Sequence, residues 1–244
     1  MCKACKARAL MSEASDPYVL GLVPVVGRET LAFLAYKGSA LMSCAVEALC
    51  PLADRVMVVA ADGQAEESRD ALAQLDSHTE SSPPGPGIGS LSGAVDVVEL
   101  PRDESLIRTA AAGADVVVIH DPLCPGVSTA SMRGLIEFWI PGTVTVAVRP
   151  VVDTVKVVDD GVVAGTLNRE GLRMISSPLV MPADRIAAMA QLGERLTDLA
   201  SLVATLRRAC EMVLVAVDPS SGRIQDPSYV AVLEALDAIH NPDR

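Results

Sequence analysis

The sequence predicts an α/β fold: a mostly parallel sheet with helices on both faces. Three observations lead there. Short, near-continuous runs of Val and Ile recur along the chain. Segments of helical periodicity lie between them, the pattern of strands buried on both faces by crossover helices. The chain is also poor in rings, with 50% of its 244 residues hydrophobic but only 2% aromatic. A core of Ala, Val, Leu and Ile favours interleaved strands and helices over an aromatic-rich sandwich.

Residues 1–17 read as a flexible leader and 18–244 as a single domain. Residues 19–26 are apolar and β-branched, a buried strand. Residues 41–52 read as a helix, 55–60 (RVMVVA) as a strand and 66–75 as a helix. Residues 77–93 are rich in Ser, Pro and Gly without an apolar period, a flexible insert. Strands follow at 95–100, 115–120 (DVVVIH) and 143–148, with helices at 105–112 and 129–138. The β-rich stretch 151–167 carries Asp159-Asp160-Gly161 as a hairpin turn. Helices at 183–192, 199–210 and 229–239 flank a late strand at 213–217.

Lys and Arg number 20 against 31 Asp and Glu, a net charge of -11. A nucleic-acid binder needs a basic footprint and aromatic platforms, so no nucleic-acid partner is expected. No apolar run approaches the roughly 20 residues of a membrane helix, so no membrane partner is expected. The six cysteines are too sparse for a disulfide scaffold, and no signal peptide is read at the start, so the expected location is cytoplasmic. Cys2 and Cys5 form one C-x-x-C without a matching second pair, and read as spare thiols rather than zinc ligands.

Ligands of such sheets bind beyond the carboxyl ends of the strands. After the first strand comes Pro24-Val25-Val26-Gly27-Arg28, with one glycine where a phosphate-cradling loop needs several. After the fourth comes His120-Asp121-Pro122, where Asp121 either holds a divalent metal on a nucleotide or caps the turn. Lys156 and Arg169 near the hairpin either grip a phosphate or sit on a solvated face. The histidines are scattered and no nucleophile elbow is found, so hydrolase chemistry has no support.

Together these pieces resemble the 2-C-methyl-D-erythritol 4-phosphate cytidylyltransferase family. The best segment is VVDTVKVVDDGVVAGTLNREGLRMISSP (151–178), with the family's D-T-[VI]-K, T-x-x-R-x-G-L and [ST]-P at the family's spacing. Arg102-x-x-Ser105, His120-Asp121 and the 196–203 segment around Thr197-Asp198 add to it. The resemblance implies a Rossmann-like nucleotidyltransferase fold with a projecting β-arm, about 149–178, that builds a homodimer. It implies transfer of CMP from CTP to methylerythritol phosphate with Mg²⁺, releasing pyrophosphate. Asp121 would hold the metal; Asp153, Thr154, Lys156 and Arg169 would serve the sugar phosphate; Gly27, Arg28, Arg102 and Ser105 would serve the nucleotide.

The departures fall at the catalytic positions. Against the resemblance, the family's P-A-A-G-x-G-x-R loop begins here and is then cut short by about seven residues. Leu31 stands where its lysine belongs, Val98 and Glu99 replace the family's G-G, Cys124 replaces the arginine of H-D-A-A-R, and Arg223 replaces a late lysine. Arg28 and Arg223 are the remaining candidates for catalysis. Nucleotidyl transfer depends on positioning and charge neutralisation, and one such donor is worth roughly 10²–10³ in rate. The pattern suggests a degenerate, inactive or impaired paralogue acting by ligand or partner binding. The alternatives are an active nucleotidyltransferase using Arg28, Lys37 and Arg223 with CTP or another nucleotide and a sugar phosphate, and a purely structural protein.

Overall fold

The computed structural model describes residues 16–79, 95–218 and 221–240. The leader before residue 16, the insert beyond residue 79, Cys2 and Cys5 lie outside the described residues. The elements run β1 (Val19–Pro24), α1 (Glu29–Ala32), β2 (Ala35–Tyr36), β3 (Ser39–Ala40), α2 (Leu41–Leu49), β4 (Arg55–Ala60) and α3 (Ala65–Thr79). Then come β5 (Val95–Glu99), α4 (Glu104–Ala112), β6 (Val116–Ile119), α5 (Thr129–Glu137), β7 (Thr143–Pro150), β8 (Lys156–Asp159) and β9 (Val162–Thr166). Last are β10 (Arg173–Pro182), α6 (Ala183–Ala187), α7 (Leu192–Thr197), α8 (Leu199–Leu206), β11 (Glu211–Ala216) and α9 (Ser228–His240).

Seven strands form one sheet in the order β11-β7-β10-β6-β1-β4-β5. Every pairing is parallel except the two made by β10, which runs antiparallel to β6 and β7. The sheet is therefore largely parallel, as the Val runs predict. The antiparallel strand β10 is not among the strands that periodicity predicts: beyond the β-rich stretch 151–167 the chain turns back and re-enters the sheet at Arg173.

Strand alternation divides the core into two layers. Leu20 and Leu22 of β1 face one side, and Val19 and Val23 the other. The first side is covered by Ile107 and Ala111 of α4, Ile186 of α6, Leu196 of α7 and Leu202 of α8. The second is covered by Met42, Val46 and Leu49 of α2 and by Met132 and Leu135 of α5. Ser128 caps α5 by accepting the Ser131 N–H at 3.1 Å, and Asp198 caps α8 by accepting the Ala200 N–H at 2.9 Å. The single helix expected at 183–192 is two, because Gln191 takes a left-handed φ of 53° and starts a new helix. The helix expected at 66–75 runs on to Thr79, which removes 77–79 from the expected insert.

From β1 the chain moves outward to β4 and β5, then returns to β6 on the other side of β1. The order thus reverses between β1 and β6. In doubly wound sheets ligands bind at that reversal, beyond the carboxyl ends of the strands. The hairpin β8–β9 forms a separate two-stranded sheet between β7 and β10 in sequence. No helix of the described residues is long and apolar enough to cross a membrane.

Gly21 lets α2 approach the middle of β1. A Cβ there would stand 2.7 Å from Leu49 Cδ2 and 3.3 Å from Ala53 Cβ. Leu49 is fully buried and has little room to yield. Gly21→Ala is expected to cost about 1–3 kcal/mol, a melting shift of roughly 2–10 °C, read by thermal denaturation.

Candidate functional site

The loop after β1 begins in regular fashion, with the Val25 and Val26 N–H groups donating to Val59 O at 2.8 and 3.0 Å. Gly27 then takes a φ of +77°, open to glycine without strain. A Cβ at Gly27 would lie 2.8 Å from Thr197 Cβ, so the loop packs directly on the end of α7. Arg28 turns inward and is only 3% exposed. Its Nε donates to Asp121 Oδ1 at 2.8 Å and its Nη2 to Oδ2 at 3.3 Å. Its Nη1 donates to Val26 O at 2.7 Å and Leu196 O at 2.9 Å.

Asp121 ends β6 on the other side of the reversal and is 2% exposed. Besides Arg28, its carboxylate accepts the Leu123 N–H at 3.0 Å and Arg223 Nε at 3.0 Å. Both readings of Asp121 thus meet in one group: it caps its own turn and it binds cations, here guanidinium. Burial pushes its pKa up. The Arg28 charge and hydrogen bonds, then Arg223 and the Leu123 N–H, outweigh that and hold it below the usual carboxylate range. Mg²⁺ is normally held by one or two carboxylates with substrate phosphates. Here both oxygens of Asp121 face guanidinium groups, so this donor set does not fit the ion as it stands. Among the described residues no three His, Cys, Asp or Glu side chains gather as a metal site.

Arg223 arrives on a strap, residues 221–224, that crosses the carboxyl edge of the sheet. Ser176 Oγ donates to Ser221 O at 2.9 Å, and the Ile224 N–H donates to Leu123 O at 2.7 Å. Beneath the strap, Ser177 Oγ accepts the Asp121 N–H at 2.9 Å and lies 2.7 Å from His120 Nδ1. Burial pushes the His120 pKa down to about 4, against the charge of Asp121, so the ring is neutral at pH 7. Burial likewise raises the pKa of the Cys124 thiol, which is unsuited to act as a nucleophile.

The structure thus brings Gly27, Arg28, Asp121 and Arg223 to one place and leaves the other candidates elsewhere. Arg102 lies beyond β5, exposed, and pairs with Glu99 at 2.7 Å and Asp103 at 3.3 Å. Glu99 itself is 6% exposed and also accepts the Gly63 N–H, so its carboxylate fills the space beside that loop. Ser105 is exposed in the first turn of α4. Asp153, Thr154, Lys156 and Arg169 are all exposed at the hairpin. Lys156 Nζ donates to Thr166 Oγ1 at 2.6 Å across β8–β9, and Arg169 donates to Val152 O. Leu31 packs into a small apolar cluster with Leu123 and Ile224, and Lys37 Nζ sits 5.2 Å from the Tyr36 ring centre. Ser177, which touches both His120 and the Asp121 N–H, is not among the candidates that the sequence offers.

A sheet whose order reverses at β1/β6, with a hairpin inserted beside its antiparallel strand, defines an α/β, Rossmann-like nucleotidyltransferase fold. The sequence profile of the 2-C-methyl-D-erythritol 4-phosphate cytidylyltransferase (IspD) family matches residues 27–235. The chain belongs to that family. It is 30% identical over 237 residues to the enzyme of that name from Nocardia farcinica, covering 91% of this chain and 95% of the relative. The namesake from Geotalea uraniireducens is 31% identical over 136 residues, 53% of this chain and 57% of the relative. Among solved structures, 4-diphosphocytidyl-2C-methyl-D-erythritol synthase from Anaerococcus prevotii superposes with a TM-score of 0.66 at 17% identity, over 90% of this chain and 96% of that one. The Thermus thermophilus cytidylyltransferase gives 0.57 at 20% identity, over 88% and 96%. At such identities these structures speak to the fold.

Removing Asp121 would leave the Arg28 guanidinium buried without its counter-ion. Asp121→Ala is expected to cost about 3–5 kcal/mol in urea unfolding. Acid acts in the same direction through two groups. The lowered Asp121 carboxyl contributes stability present above the unfolded carboxylate pKa and lost as pH falls through its folded value. His120 titrates at about 4 folded against 6.5 unfolded, so the unfolded chain binds its proton first and stability falls as pH drops through that window. His120 alone is expected to remove about 2 kcal/mol between pH 7.5 and pH 5, and His120→Asn to flatten that dependence of the urea midpoint.

Proposed function

We propose that this cytidylyltransferase-family protein does not transfer CMP at an enzymatic rate, and acts by binding a phosphorylated ligand and a second copy of itself. The observation that carries this reading is the Arg28–Asp121 pair, 2.8 Å apart with side chains 1% and 2% exposed, at the strand-order reversal. A triphosphate needs free N–H groups and cations in this loop. The single arginine of the loop instead points inward, with four N–H···O contacts inside the protein. A carboxylate that would carry Mg²⁺ is neutralised by guanidinium. The loop is short, which pulls Gly27 onto Thr197 and leaves no span for a cradle. Glu99 puts a carboxylate where the family has bare glycine.

Self-association is supported by the hairpin. Val157, Val158, Val162 and Val163 are 40%, 60%, 67% and 59% exposed, a cost that a second copy covering them would relieve. In this reading Asp153, Thr154, Lys156 and Arg169 serve the ligand or the partner surface.

One observation favours the alternative of an active transferase using CTP or another nucleotide. Arg223 remains 42% exposed at the mouth of the same reversal. There Arg28 would have to leave Asp121 for the incoming phosphate.

Pyrophosphate release from CTP and 2-C-methyl-D-erythritol 4-phosphate with Mg²⁺ decides between them. No release above background is expected, and turnover at about 1 s⁻¹ or faster would reject the first reading. For the hairpin, sedimentation should report a dimer that Val158→Glu with Val163→Glu converts to monomer; a monomeric parent chain would reject the self-association.

A further inference from the structure

We propose that Arg149, with Arg223 and the Tyr229 hydroxyl, forms a binding site for a phosphomonoester dianion at the carboxyl end of β7. The proposal rests on the reading of the chain as a ligand-binding family member, and names the ligand chemistry.

Arg149 is the penultimate residue of β7, paired in register with Met174 of β10. Since β7 runs in the same direction as β6 and β1, its end lies on the same edge of the sheet as Asp121 and Arg28. The Arg149 Nε is buried and has no hydrogen-bond partner. Among the described residues its guanidinium forms no ion pair. A buried guanidinium N–H without an acceptor is costly and rare, and such a group in a native fold calls for a ligand or another explanation.

Gly222 explains how the group is reached. A Cβ at Gly222 would stand 3.1 Å from Arg149 Nη1 and 3.3 Å from Tyr229 Oη. Both polar ends therefore rest against the bare Cα of one glycine, within the span of a single phosphate and its hydrogen bonds. The next residue is Arg223, whose Nε is held by Asp121 while the side chain stays 42% exposed. Asp121 fixes where the strap carries that second guanidinium.

Charge points to an anion. At this edge Asp121 pairs with Arg28 and Arg223, while Arg149 forms no ion pair among the described residues. Asp218, which precedes the strap, borders the groove beside Phe138 and Val213. Guanidinium forks with one hydroxyl donor suit the tetrahedral oxygens of a phosphate, which can accept from all three donors. The position is one strand removed from the Arg28–Asp121 pair, so binding here does not require that pair to open.

The test is calorimetric titration of the full chain with inorganic phosphate and with glycerol 3-phosphate, in EDTA and without nucleotide, with acetate as the carboxylate control. Saturable binding of both phosphates and none of acetate is expected. Arg149→Ala should weaken it about 10- to 100-fold, with Arg149→Lys in between. Gly222→Ala keeps every charge but pushes a methyl against the guanidinium and the hydroxyl, and should weaken binding comparably; it supplies the test if Arg149→Ala fails to fold. No saturable binding by the parent chain, or equal affinity in the folded variants, would overturn the site. Because nucleotide and metal are absent, CTP turnover with phosphate binding intact would count against the preceding reading alone.

Discussion

The buried ion pair between Arg28 and Asp121 ties together the two halves of the sheet at the point where strand order reverses. Neither charge is stable in the interior alone. Each is paired, and each also meets backbone groups, Val26 O and Leu196 O for the arginine and the Leu123 N–H for the aspartate. The pair therefore fixes several elements at once: the loop after β1, the turn after β6, the end of α7 and, through Arg223, the strap at 221–224. The neutral His120 and the Ser177 hydroxyl complete the buried polar layer beneath it.

The same pair carries the proposal that this chain keeps its family's fold without its transfer chemistry. The two hydrophobic layers lie on the faces of the sheet and take in Val25 and Val26 of the loop after β1 and Cys124 of the turn after β6. With the loop packed on Thr197, the Arg28 guanidinium is directed at Asp121. The strap and the end of β7 have further contacts of their own, Ser176 to Ser221 O and the Val217 N–H to Val148 O.

The strands were legible because their signal is local. Val-rich runs such as RVMVVA need burial on both faces, and β4 and β6 appear where those runs stand. β10 was missed because RMISSPLVMP mixes polar and apolar residues, and its pairing depends on distant strands. The break at Gln191 was missed because a non-glycine left-handed residue carries no sequence mark. Within the site, the residue types were visible: Arg28, Asp121 and Arg223 all stood out at strand ends. That Glu99 would turn inward to the Gly63 N–H was not, since Glu is ordinarily a surface residue.

By itself the sequence determined the α/β layering, the strand ends on which to look for a site, and the family, through the D-T-V-K and T-x-x-R-x-G-L spacing of the 151–178 segment. These rest on periodicity and on contiguous motifs, which are properties of neighbouring residues. Only the tertiary structure decided what the charges do. Arg28 and Asp121 are 93 positions apart, and Asp121 and Arg223 are 102 apart. Whether an arginine grips a phosphate or a carboxylate depends on which groups the fold sets within about 3 Å of it, and on how much water is left there.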